Sequence, residues 1–174
     1  MSKPSDDFIP LNIAVLTVSD TRTRAEDTSG DYLEQQLRSA GHELADRQLI
    51  PDDIYQMRAV VSRWIADPHV NCVLVTGGTG FTGRDSTPEA ISPLFDKTVD
   101  GFGELFRYHS IDEIGTATLQ SRALAGMANH TLIFCMPGST NACRTAWSKI
   151  LLQQLDSRTR PCNFVPHTRP ASQA

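Results

Sequence analysis

The sequence predicts a single three-layer α/β/α domain built on a mostly parallel sheet, with a ligand site at the strands' carboxyl ends. Three observations carry this expectation. Short apolar runs alternate with amphipathic helical patterns, the order expected of parallel strands covered by helices on both faces. Three of those runs break into small or hydroxyl-bearing residues: Thr17-Val18-Ser19-Asp20, Thr76-Gly77-Gly78-Thr79-Gly80 and Met136-Pro137-Gly138-Ser139. Ligands bind beyond the carboxyl ends of strands in such sheets, so the three breaks are placed to line one crevice. Size agrees: 174 residues without an internal repeat or linker make one ordinary domain, able to bury roughly 70% of its unfolded surface.

The elements follow in order. Ile13 to Val18 is short and β-branched, a buried strand. Asp31 to Ala40 carries Leu33, Leu37 and Ala40 at helical spacing and stops at Gly41, a C-terminal cap. Leu44 to Ile50 reads as a second strand. From Ile54, apolar residues at Met57, Val60, Val61, Trp64 and Ile65 mark an amphipathic helix. Val70 to Val75 is a strand running into Gly77, and a helix is expected from Thr87 to Asp96. Between Lys97 and Met127 the pattern weakens, with Phe102 to Tyr108 and Ala117 to Met127 both reading as helical. Thr131 to Met136 is a strand broken by Pro137-Gly138, and Ser139 opens a last helix reaching Leu155. The domain is expected over residues 8–156. The tail, 157–174, has prolines at 161, 166 and 170 and is expected to pack at an interface or lie partly disordered.

Composition excludes several classes. A net charge of −4 argues against a general nucleic-acid or membrane-surface binder, which carries a basic excess. No apolar run approaches the ~20 residues needed to span a bilayer, and Met1 to Asp7 lacks the pattern of a signal peptide, so a cytoplasmic protein is expected. Cys72, Cys135, Cys143 and Cys162 have no CxxC spacing, which disfavours zinc; Cys72 and Cys135 sit in apolar runs as core residues.

The glycine run at 76–80 is the most informative stretch. Glycine lets a ligand approach peptide N–H groups closely, and donors bared at a strand's end form an anion cradle. The bland alternative is a tight turn that only reverses the chain. Gly78-Thr79-Gly80-Phe81-Thr82-Gly83 satisfies GxGxxG, but the helix is delayed to Thr87-Pro88 and no clear strand precedes Asp100, so the dinucleotide reading is poor. No Gly-Lys-Ser/Thr follows, so the P-loop fails too. Asp85 is a plain loop carboxylate, a cap, or a cation ligand. Capping has other candidates, since Ser86 with Glu89 forms a capping box and Thr87 precedes Pro88. Mg²⁺ takes one or two carboxylates and completes its shell with substrate phosphates. Asp52 precedes a helix and reads as its N-cap, but Asp53 could cap equally well. Ser139 is an N-cap that could also face an anion. Arg122 suits a phosphate, although a lone arginine is usually solvated. The histidines at 42, 69, 109, 130 and 167 make no ligand or triad spacing.

Taken in order, Thr17-Val18-Ser19-Asp20, Thr28-Ser29-Gly30, Ile50-Pro51-Asp52, Thr76 to Thr82, Arg84-Asp85, Thr87-Pro88-Glu89-Ala90, Ser121-Arg122-Ala123 and Met136 to Ser139 resemble the MoaB/Mog family of molybdenum cofactor biosynthesis proteins. The likeness covers residues 8 to 167 and extends to the bacterial MoaB branch through Asp156 to Phe164. The resemblance implies transfer of AMP from Mg-ATP to the terminal phosphate of molybdopterin, with pyrophosphate released. It implies that Asp52 and Asp85 serve catalysis and hold Mg²⁺, with Arg84 stabilising charge. It assigns substrate contacts to Thr17, Ser19, Asp20, Gly77, Gly78, Thr79, Gly80, Glu89, Ser121, Arg122, Pro137, Gly138 and Ser139. Gly83 stands where the adenylyltransferase branch usually has proline, and Ser139-Thr140 replaces an asparagine-containing sequence. The alternative is a non-catalytic molybdopterin-binding scaffold in the same pathway. The resemblance further implies a homo-oligomer, a trimer or a hexamer of two trimers.

Overall fold

In the computed structural model, which describes residues 4–169, a six-stranded sheet is sandwiched between helices. In chain order the elements are β1 (Asn12–Val18), α1 (Thr28–Ser39), β2 (Glu43–Ile50), α2 (Ile54–Ala66), β3 (Cys72–Thr76) and α3 (Thr87–Ile91). They continue with β4 (Lys97–Thr98), α4 (Asp100–Ile114), β5 (Leu124–Ala128), β6 (Thr131–Met136) and α5 (Thr140–Ala146). A π-turn at Trp147–Leu151 carries α5 into α6 (Leu152–Gln154).

Strand order is β2-β1-β3-β6-β5-β4. The first four of these run parallel, while β5 pairs antiparallel with both β6 and β4. The chain leaves β1 toward β2 and returns to build β3 on β1's other side, so a topological switch lies between β1 and β3. Such a switch opens a crevice at the strands' carboxyl ends.

Strand side chains alternate between two cores. Ile13, Val15, Leu74 and Phe134 face Leu33 and Leu37 of α1, Phe102 and Phe106 of α4, and Trp147. Ala14, Leu16, Val73, Val75 and Ile133 face Met57, Val61 and Trp64 of α2 and Ile91 of α3. Burying each large apolar side chain contributes about 1.5–3 kcal/mol.

A polar network joins β1, β2 and α1. Asp27, fully buried, caps α1 by accepting from the Gly30 N–H at 3.0 Å. It also accepts from the Thr17 hydroxyl at 2.7 Å and from Arg47 Nη2 at 2.8 Å. Arg47 reaches Asp31 and Glu34 with its other terminal nitrogen.

Three expectations need correction. Ala117 to Met127 is not a helix: a 3-10 turn over Gly115–Gln120 leads into strand β5. Leu-Ala-Gly-Met-Ala lacks β-branched residues and favours helix locally. Pairing with two strands overrides that preference. The β5–β6 turn is Asn129-His130, both at positive φ (49° and 63°), as a two-residue hairpin requires. The helix expected to Asp96 ends at Ile91 and gives way to a 3-10 turn at Ser92–Leu94, because Pro93 has no N–H to continue the α-helical hydrogen bonds. Ser86 and Glu89 form no capping box: neither side chain caps α3, and both have tertiary partners described below.

The tail wraps back on the amino-terminal segment through residue 169. Ser157 accepts from the N–H of Ser5 at its carbonyl and of Ile9 at its hydroxyl, and Val165 enters the core. Pro170 and the remainder of the tail lie outside the described residues.

Asp27→Ala leaves the buried Arg47 guanidinium without its innermost partner, and should cost about 3–5 kcal/mol in urea unfolding at pH 7. Thr17→Val removes a buried hydrogen bond to the Asp27 carboxylate and should cost about 1.5–3 kcal/mol. A loss under ~1 kcal/mol for Asp27→Ala would mean that Asp31 and Glu34 alone sustain Arg47.

Candidate functional site

Three loops meet at the β1/β3 switch. From β1 come Val18, Ser19, Thr21 and Arg22; from β3 come Gly77 to Gly80 and Asp85; from β6 come Pro137 and Gly138. Together they line a crevice of about 390 Å³. A second crevice of about 410 Å³ lies beside it, walled by Ile54, Phe81 to Gly83, Ser86, Glu89 and Arg122. Asp85 borders both. A hollow of about 450 Å³ lies at the amino ends of β1 and β3, where Asn12 and Asn71 meet Pro10, Val165 and Pro166.

The glycines are required by close contact. Gly77 has φ +107°, and a Cβ there would sit 2.1 Å from the Val18 carbonyl oxygen. At Gly78, φ +67°, a Cβ would sit 2.3 Å from Thr87 Oγ1 and 2.6 Å from Asp52 Oδ2. A Cβ at Gly80 would sit 2.6 Å from Asp85 Oδ2. One carboxylate thus abuts the run at Gly78 and the other at Gly80.

Asp52 lies just outside α2, whose N-cap is Asp53: its carboxylate accepts from the Gln56 N–H at 2.8 Å. Asp52 is 8% exposed, and its Oδ1 accepts from the Ser86 hydroxyl. Burial lifts its pKa above the ordinary carboxylate range, against the Ser86 hydrogen bond, and the charges of Asp20 and Asp85 push the same way. Asp20 accepts two bonds from Arg84, at 2.9 and 3.0 Å, and one from the Asp52 N–H at 2.9 Å. Those bonds, led by Arg84's, hold Asp20 below its ordinary range. Arg84 Nη2 also donates to the Asp52 carbonyl at 2.9 Å.

Asp85 closes its own loop, accepting from the Thr82 N–H at 2.9 Å and hydroxyl at 2.7 Å. Arg122 clamps that loop from outside. It donates to the carbonyls of Gly80 at 2.8 Å and Asp85 at 2.9 Å, and pairs with Glu89. The Thr79 and Ser121 hydroxyls are buried with no protein partner among the described residues. On the β6 side, Ser139 caps α5 through the Ala142 N–H at 3.1 Å, and the Ser29 hydroxyl donates to the Gly138 carbonyl at 2.7 Å.

Residues 14–157 match the family described as "Probable molybdopterin binding domain". Molybdenum cofactor biosynthesis protein B of Escherichia coli (strain K12) is 58% identical over 169 residues, covering 97% of this chain and 99% of that protein. The chain belongs to the MoaB/Mog family. The protein of the same name from Bacillus subtilis is 43% identical over 142 residues, 81% of this chain and 84% of that one. Among solved structures, a molybdenum cofactor biosynthesis protein B superposes with TM-score 0.82 at 40% identity, covering 84% of this chain and 92% of that one. The tungsten cofactor synthesizing protein MoaB from Pyrococcus furiosus gives TM-score 0.74 at 37% identity, covering 82% and 91%.

Against this family frame, the sequence-derived residues divide. Ser19, Gly77, Gly78, Thr79, Gly80, Asp85, Pro137 and Gly138 converge on the first crevice. Glu89 and Arg122 line the second, again with Asp85. Asp20, Asp52 and Arg84 form a cluster beneath the glycine run. Thr17 stands apart, fully buried with its hydroxyl on Asp27. Ser121 and Ser139 line neither crevice. Thr21 and Arg22 were missed; their signal is position, one and two residues beyond the small-residue break at the end of β1.

The raised pKa of Asp52 has a stability consequence. The folded chain binds this proton more readily than the unfolded chain, so the ionised carboxylate costs stability at neutral pH, and the cost fades in acid. Asp52→Asn keeps an acceptor for Ser86 and should raise the melting temperature at pH 7 by ~2 °C. The advantage should shrink as pH falls through the ordinary aspartate value of 3.8. A lower melting temperature at pH 7 would mean that the ionised form is favoured by its neighbours.

Proposed function

We propose that this protein acts in molybdenum cofactor biosynthesis by transferring AMP from Mg-ATP to the terminal phosphate of molybdopterin. The observation that carries the reading is the glycine cradle at the sheet's switch point, with one carboxylate against Gly78 and another against Gly80. Family membership supports molybdopterin as the substrate. Two crevices sharing Asp85 as a wall suit a reaction that brings two phosphate-bearing molecules together.

In this reaction a phosphate oxygen of molybdopterin attacks the α-phosphorus of ATP. A new P–O bond forms, the bond from the α-phosphorus to the bridging oxygen breaks, and pyrophosphate leaves with that electron pair. The attacking phosphate is already ionised, so no general base is needed. The chain contributes position and electrostatics. The Gly77 N–H is taken by the Met136 carbonyl at 2.9 Å, so the N–H groups of Gly78, Thr79 and Gly80 hold phosphate, and Arg122 keeps that run in shape. Arg84 fixes the Asp20–Asp52 pair in place.

The donor set fits Mg²⁺. Among the described residues no three His, Cys, Asp or Glu side chains gather to hold a metal alone. Asp52 Oδ2 and Asp85 Oδ1 accept no hydrogen bond there. Two such carboxylate oxygens are what a Mg²⁺ ion takes from protein when substrate phosphates complete its shell. Bound there, the ion would neutralise charge on the reacting phosphates.

An oligomer is part of the proposal, a trimer or a hexamer. Leu105, Tyr108, Ile111 and Ile114 recur every third residue of α4 and are exposed, as is Leu119 just beyond. Each step of three turns about 60° back around a helix of 3.6 residues per turn, so these side chains spread over its outward half as an exposed apolar patch that suits burial against another copy. Among the described residues no helix is long and apolar enough to cross a membrane, and we place the reaction in the cytoplasm.

Asp52→Asn and Asp85→Asn should each reduce AMP transfer at least ~100-fold with the fold intact, followed as adenylyl-molybdopterin formed from molybdopterin, ATP and Mg²⁺. Full activity in both variants would overturn the mechanism. A wild-type protein that binds molybdopterin but forms no product would favour the non-catalytic scaffold. Light scattering should report three or six copies, reduced by Ile111→Glu; a wild-type monomer would remove the oligomer from the proposal.

A further inference from the structure

Three arginines stand near the glycine run, and they differ in what their guanidinium groups already hold. Arg84 is committed to Asp20 and the Asp52 carbonyl. Arg122 is committed at Nε, Nη1 and Nη2, to Gly80, Glu89 and Asp85. Arg22 is different. Its Nη1 donates to the Gly138 carbonyl at 2.9 Å and the Ser29 hydroxyl at 3.1 Å, while Nε and Nη2 have no partner among the described residues. It is half-buried and makes no ion pair among those residues. It lines the first crevice together with Gly77 to Gly80, where the only other charged side chain among the described residues is Asp85.

We propose that Arg22 is the side chain that grips phosphate in this crevice. Nη1 anchors the guanidinium to the β6 loop, and its backbone N–H is held by the Ser19 hydroxyl at 3.0 Å. The free edge, Nε with Nη2, presents two parallel donors, which match two oxygens of a phosphate. A phosphate dianion seated on the glycine run faces the Asp85 carboxylate, and Arg22 is the lining cation that offsets that repulsion. The half-buried setting weakens solvent screening of the pair. The inference rests on the reading above in taking the ligand to carry phosphate. Both the pterin phosphate and the nucleotide phosphates meet that description.

The test measures binding of inorganic pyrophosphate, molybdopterin and ATP separately by titration calorimetry to the full chain. Arg22→Gln should weaken pyrophosphate binding roughly 10- to 100-fold, with unchanged melting temperature and a shallower dependence on ionic strength. Arg22→Lys should recover part of the affinity, because it restores charge without the paired donors. Ser29→Ala removes one anchor of the same loop contact and should stay within about 3-fold of wild type. Whichever of molybdopterin and ATP loses affinity in Arg22→Gln identifies the phosphate that Arg22 holds.

Wild-type affinity of Arg22→Gln for all three ligands would overturn the proposal. So would an equal loss in Ser29→Ala, which would mean that Arg22 acts only by pinning Gly138. If the wild-type protein binds pyrophosphate through Arg22 yet makes no adenylyl product, the adenylylation reading falls and the role of Arg22 stands. If the wild-type protein binds none of the three, both fall.

Discussion

The carbonyl of Val18 approaches residue 77 so closely that a Cβ at that position would lie 2.1 Å from its oxygen. This contact locks the loop after β3 against the loop after β1, and much of the site follows from it. A residue without a side chain is demanded at 77, at a positive φ that glycine accepts without strain. The chain then turns through Gly78, again without room for a Cβ, because Thr87 and Asp52 crowd it from α3 and from the β2–α2 loop. The bare backbone is therefore a product of packing, and the anion cradle is its consequence.

Charge in the site is arranged by the same crowding. Asp20, Asp52 and Asp85 lie close enough for Asp20 and Asp85 to raise the pKa of Asp52. Arg84 relieves part of that strain by pairing with Asp20, while Ser86 gives up its capping role to donate to Asp52. What is left is an acidic cluster, three carboxylates against the one guanidinium of Arg84, beside a backbone suited to anions. Such a combination is costly for the free protein and becomes favourable when positive charge arrives with the ligand. That is the pattern expected of a site whose chemistry requires a cation shared between protein and phosphate.

Legibility in the sequence tracked how local the decisive interaction was. The strands β1, β3 and β6 are continuous apolar runs whose burial on both faces leaves no other reading. The helix α2 announces itself by spacing. By contrast, Leu124 to Ala128 is a strand only because β6 and β4 flank it, information that no window of a dozen residues contains. The glycine run could be read as a cradle because strand ends and glycine carry that meaning together. The partners of its charged neighbours could not: Asp20 with Arg84 and Glu89 with Arg122 join residues 64 and 33 positions apart. Asp27 and Arg47 were silent for the same reason, since a buried ion pair leaves no mark on either residue's own surroundings in the chain.

The division of labour among the arginines follows from where their partners enter the fold. Arg84 and Arg122 belong to segments that build the outside of the glycine loop, and they meet carbonyls and carboxylates of that loop's own supports. Arg22 leaves the end of β1, on a loop whose far end is Asp27. That residue is held by β1, β2 and α1 at once through Thr17, Arg47 and Gly30. The loop is thus fixed at its base by a buried ion pair and at its middle by Ser19 and Gly138. An arginine on a mobile loop loses side-chain entropy when it binds, and much of its electrostatic gain is offset. An arginine held at both ends of its loop and by one edge of its guanidinium has met that cost during folding. The Asp27–Arg47 pair lines neither crevice, yet it bears on binding: it sets the ground on which Arg22 stands.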